Sequence, residues 1–96
     1  MYALIGCVRI KPGHEDETEA MARERGPDLV RGLSGTAAYW ARPVEREGDL
    51  IQHLFWLFEN EADARAAETT ANSLRGMPDA PAEFVSADVC EVIATL

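Results

Sequence analysis

The sequence predicts a single α+β domain built on a four-stranded antiparallel sheet with two helices. Three observations lead there. Apolar segments with two-residue alternation recur along the chain. Two polar, helix-forming stretches separate them, and Gly- and Pro-bearing turns mark most of the boundaries. The elements run strand, helix, strand, strand, helix, strand, and 96 residues suit one domain, 1–96.

Tyr2 to Ile10 is the first strand, stopped by Lys11-Pro12-Gly13. Both of its faces are largely apolar, as for a strand with helices on one side and further apolar surface on the other. His14 to Leu33 is the first helix. Glu15, Asp16, Glu17 and Glu19 crowd its start, where the helix dipole favours negative charge. Met21, Leu29, Val30 and Leu33 form its apolar stripe, and Gly26-Pro27 predicts a kink or restart, because proline lacks the N–H that the helix needs. Thr36 to Val44 is the second strand, followed by a hairpin loop at Glu45 to Asp49 and by Leu50 to Phe58, the most apolar strand. Asn60, with Asp63 three residues on, caps a second helix reaching to about Leu74. Its apolar face consists of Ala62, Ala66, Ala67 and Ala71, small enough either to seat the helix close to the sheet or to leave room for a ligand. The segment 76–81 breaks that helix, and Glu83 to Ala94 is the fourth strand. This βαββαβ order is the ferredoxin-like arrangement, with both helices on one face of the sheet.

Composition excludes some classes of partner. With 9 basic against 17 acidic residues and a net charge of −8, the chain repels nucleic-acid phosphates. Lys11 is the sole lysine and begins no basic stripe for an anionic membrane surface. The longest apolar runs are too short to span a bilayer, and the N-terminus does not read as a signal peptide, so a cytoplasmic protein is expected. Cys7 and Cys90 lie in apolar strands outside any metal-ligand or redox spacing and read as reduced, buried small hydrophobes. His14 and His53 have no partner at the spacing of a metal site, and no metal or cofactor motif is present.

A first strand ending in Lys-Pro-Gly, a helix ending near a Gly before an aromatic strand, and a third strand reading FWLFENEADA into the second helix together resemble the antibiotic biosynthesis monooxygenase superfamily over nearly the whole chain. The resemblance implies a dimeric α/β barrel in which two copies pack their uncovered sheet faces together. Here that face would carry Ile5, Cys7, Ile51, His53, Phe55 and Leu57, an apolar patch unusual for a monomer. Trp56 matches the Trp that the family places near the end of the third strand. Gln52 occupies the position of an Asn found in anthrone-oxidising members, four residues earlier on the same face. The haem-degrading branch also uses an Asn on the first strand and a His on the second helix. Gly6 stands at the Asn position, and the second helix contains no His. Haem degradation is therefore not expected, and no cofactor is.

Candidate site residues follow from strand parity. Gln52, Leu54, Trp56 and Phe58 share a face, and an amide there must serve either a neighbour or a ligand. Trp56 either fills the core or forms a pocket wall. Arg75, at the end of the second helix, either stabilises an oxyanion or is a solvated cation favoured by the helix dipole. Gly6, Ala66 and Ala67 would free space for a small apolar site between sheet and helices. The implied activity is a cofactor-independent monooxygenase acting on a small aromatic or polycyclic phenolic substrate, with Gln52, Trp56 and Arg75 as catalytic residues and Gly6, Leu54, Phe58, Ala66 and Ala67 in contact with substrate. The alternative is a non-catalytic dimer of the same fold that binds a small apolar ligand.

Overall fold

The computed structural model describes residues 1–45, 50–75 and 79–96. Its elements are β1 (Tyr2–Ile10), α1 (Glu15–Gly32), β2 (Ala37–Ala41), β3 (Ile51–Phe58), α2 (Glu61–Ser73) and β4 (Ala82–Glu91). The strands form one antiparallel sheet in the order β2-β3-β1-β4. This is the ferredoxin-like α+β fold. The hairpin loop expected at Glu45 to Asp49 and the helix break expected from Gly76 fall largely on residues 46–49 and 76–78, outside the described residues.

Alternation sets the register. Leu4 pairs with Trp56, Gly6 with Leu54 and Val8 with Gln52 across β1 and β3, which brings their side chains to the face under the helices. Between Cys7 and Val8 the β1–β4 register slips, so that Cys7 faces Ser86 and Val8 faces Phe84, with Val85 as the extra residue. The core gathers Leu4, Leu54, Trp56 and Phe58 from the sheet with Val30 of α1 and Ala64, Ala67 and Ala71 of α2. Each buried Leu or Phe contributes about 1.5–3 kcal/mol. The opposite face leaves Phe55 36 % and Ile5 38 % exposed beside half-buried Cys7, Ile51, His53 and Leu57.

Several local readings need correction. The helix α1 runs unbroken through Pro27. Gly26 precedes that proline, and without a Cβ it escapes the clash that normally drives a pre-proline residue out of the helical region. β2 is shorter than 36–44, and β4 ends at Glu91, short of Ala94. On α2 the buried stripe is Ala64, Ala67 and Ala71, whereas Ala62 and Ala66 face solvent. The cap at Asn60 is as expected: its side chain accepts a hydrogen bond from the Asp63 backbone N–H at 2.9 Å. Cys7 and Cys90 are free thiols, half-buried and not fully enclosed. No described helix is long and apolar enough to cross a membrane.

Candidate functional site

The two helices sit differently on the sheet. The small buried side chains of α2 let its backbone settle directly over the sheet, with Ala64 and Ala67 fully enclosed. Beneath α1, toward β2 and β3, a chamber of about 290 Å³ remains. Its floor is Val8, Gln52, Leu54 and Trp56, and Trp40 and Phe84 close two sides. Thr18, Met21, Ala22, Gly26 and Leu29 of α1 cover it, and Leu74, Ala80 and Pro81 approach from the segment joining α2 to β4. The wall is overwhelmingly apolar. A volume near 300 Å³ is at the small end of those that accept organic ligands.

Two polar groups in this wall lack partners. The Trp56 indole N–H is buried with no hydrogen-bond acceptor. Gln52 is only 7 % exposed, and its amide makes no side-chain hydrogen bond among the described residues. A donor enclosed like the indole N–H costs roughly 1–3 kcal/mol when left unpaired, whereas the Gln52 amide is less completely enclosed. The indole of Trp56 lies 6.3 Å from that of Trp40, ring centre to ring centre, at an interplanar angle of 60°. This tilted arrangement is favourable between aromatic rings, and it fixes both faces of the chamber corner.

A smaller polar cavity of about 100 Å³ adjoins the chamber, lined by Glu19, Ala22, Arg23, Trp40, Ala41, Arg42 and Gln52. Ala22, Trp40 and Gln52 therefore belong to both. Only 14 % of the Glu19 side chain is exposed, and its carboxylate accepts a hydrogen bond from the Arg42 guanidinium, with Arg23 at 3.8 Å on the other oxygen.

Of the residues singled out in the sequence, Gln52, Leu54 and Trp56 come together on the chamber floor. The others do not. Gly6 makes no void: a Cβ there would meet Leu54 Cδ1 at 2.9 Å and the Ser86 carbonyl oxygen at 3.2 Å, so the missing side chain admits Leu54. Phe58 is fully enclosed in the core, two residues beyond Trp56 and opposite Tyr2. Ala67 is packed under α2, Ala66 is exposed, and Arg75 is exposed past the end of α2. Arg25 of α1 lines the chamber, and Glu19, which the sequence reads as part of a solvated helix start, lines the adjoining cavity. The signal that finds both is position: Glu19, Ala22 and Gly26 fall at i, i+3 and i+7 along one helical face, with Arg25 beside them.

His14 lies exposed before α1 with its Nδ1 2.7 Å from Glu17, and His53 is on the uncovered sheet face. Neither approaches the chamber.

No protein-family model and no curated protein matches the chain. Solved structures do. A dimeric ferredoxin-like protein from an uncultured marine organism superimposes with a TM-score of 0.64 at 10 % identity, covering 99 % of this chain and 97 % of that one. A variant of MhuD, solved with two manganese protoporphyrin IX molecules per active site, gives 0.65 at 16 % identity over 100 % and 98 % of the two chains. A protein of unknown function from Nitrosomonas europaea gives 0.59 at 24 % identity over 99 % and 91 %. At these identities the likeness establishes the fold.

Proposed function

We propose that the protein is a homodimeric, cofactor-independent monooxygenase acting on a small aromatic or compact polycyclic phenol held in the chamber under α1. The observation that carries this reading is the buried Trp56 N–H without an acceptor, beside the Gln52 amide, which bonds to no described residue, in an otherwise apolar wall. Both are hydrogen-bond donors, and a substrate oxygen is the acceptor they lack.

In this chemistry a substrate methylene next to a phenolic ring loses a proton, and the resulting enolate is the electron source for O₂. The methylene becomes a carbonyl. One oxygen atom enters it, and the other leaves as water with the two hydrogens of the methylene. The protein's part is electrostatic: Gln52 and Trp56 donate to the developing oxyanion, a small adjustment of the wall bringing the indole N–H into reach, while Arg25 at the rim adds positive charge. An apolar enclosure strengthens each of these contacts.

The dimer is supported by the exposed Ile5 and Phe55 on the uncovered face and by the dimeric ferredoxin-like neighbour. Porphyrin binding of the kind seen in the MhuD variant does not suit these residues. The helix α2 carries no His, both histidines lie away from the chamber, and Leu54 fills the space beside Gly6.

Oxygen uptake measured against a panel of phenols and anthrone-like ketones tests the proposal. It requires one O₂ consumed per carbonyl formed, with the Gln52→Leu variant slower by about 10²-fold, the usual consequence of losing one oxyanion donor. A non-catalytic ligand-binding dimer is the second reading, favoured by the lack of any carboxylate or imidazole among the described residues lining the chamber. Saturable binding of the same compounds without oxygen uptake would establish it.

A further inference from the structure

We infer that Arg25 is an anion-binding group at the mouth of the chamber, and that the ligand is an aromatic carboxylate whose ring lies in the chamber and whose carboxylate meets the Arg25 guanidinium. The inference rests on the chamber being a ligand site. To that reading it adds the charge of the ligand and the end by which it is held.

Among the described residues lining the chamber, Arg25 alone carries a charge. Its guanidinium is exposed and makes no hydrogen bond or ion pair to a described residue. Neighbouring arginines are engaged: Arg23 and Arg42 with Glu19, and Arg31 with Asp28 at 2.7 Å. Asp28, three residues beyond Arg25 on α1, is the carboxylate that helical spacing offers it, and Arg31 holds that carboxylate from the other side. At four residues before and after Arg25 stand Met21 and Leu29, both exposed and both part of the chamber wall. A cation set between two exposed apolar side chains at the opening of an apolar cavity matches an amphipathic anion. The ring continues from the chamber along Met21 and Leu29, and the charge ends at the guanidinium, whose planar fork receives both oxygens of a carboxylate. A chain with 17 acidic residues against 9 basic ones attracts an anion only where its own carboxylates are held away, and this mouth is such a place. Arg75, exposed past the end of α2, does not line the chamber, and a solvated cation accounts for it. Gln52 and Trp56 lie on the floor and Arg25 on the covering helix, so the two ends of such a ligand are held from opposite sides.

Equilibrium dialysis of the full chain at neutral pH with 2-naphthoate and with its methyl ester tests this. The two probes share a ring system and an acyl group, and only 2-naphthoate is charged. The wild-type protein is expected to bind 2-naphthoate about tenfold more tightly at low salt, the usual preference conferred by a charge-assisted hydrogen bond. Arg25→Gln should reduce that preference to within about twofold and leave the affinity for the ester unchanged. If Arg25→Gln also weakens ester binding, a salt series on the wild type decides: because Arg25 is exposed, the preference must shrink as salt rises to about 1 M, where screening acts within about 3 Å. Equal affinities in the wild type, a preference that survives Arg25→Gln, or one that salt does not touch would overturn the anion site while leaving the chamber intact. Failure of both probes to bind would overturn the chamber and this inference with it.

Discussion

The ring of Trp40 rests on the backbone of Gly26: a Cβ built on that glycine would lie 2.6 Å from Cζ2 of the indole. Glycine in a helix is ordinarily a weakness of about 0.5–1 kcal/mol relative to alanine. Here it allows Trp40 to stand between α1 and the sheet, where it walls both cavities and meets Trp56.

Gly26→Ala should therefore lower stability by about 1–2 kcal/mol, an overpacking cost of roughly 1–3 kcal/mol less the gain of about 0.5–1 kcal/mol in helix propensity. Denaturant unfolding measures it. A variant more stable than the wild type would show that Trp40 does not pack against this residue.

Phe55→Glu should convert the proposed dimer to a monomer. Burying a carboxylate in an apolar contact without a partner is strongly disfavoured, and Phe55 sits on the uncovered sheet face. Light scattering at micromolar concentration should give twice the 10.5 kDa chain mass for the wild type and the single-chain mass for the variant. A wild-type monomer would remove the barrel dimer from the account.

Haem titration should give no stoichiometric complex. The expected result is a Soret band that stays at the position of free haem, since no His reaches the chamber. A shifted band saturating at a fixed ratio, followed by breakdown on adding reductant, would contradict it.

The sheet and its two faces were legible because alternation in β1 and β3 is regular: the same parity that buries Leu54 and Trp56 also buries Gln52. Placing Gln52 and Trp56 in one site needed nothing beyond that. Small residues were harder. A Gly or Ala frees volume, but its neighbours decide whether the volume stays open; Leu54 takes it at Gly6, and the backbone of α2 takes it at Ala67. Register within α2 was misjudged by including Ala62 and Ala66, since a helix made mostly of Ala, Thr and acidic residues offers little hydrophobic contrast to fix its buried stripe. Glu19 was hidden by its company, for among Glu15, Asp16 and Glu17 a carboxylate reads as helix-start charge. What distinguishes it is Arg42, 23 residues further on and brought alongside only by the packing of α1 against β2.

The most direct test of the central claim, that Gln52 serves a ligand and not the fold, is a paired measurement on Gln52→Leu: its melting temperature and its affinity for 2-naphthol. Because the amide has no partner among the described residues, replacing it should leave the melting temperature unchanged or raise it, while affinity falls by about tenfold. A lowered melting temperature with unaltered affinity would mean that Gln52 holds the protein together, and the ligand site proposed under α1 would have lost its orienting contact.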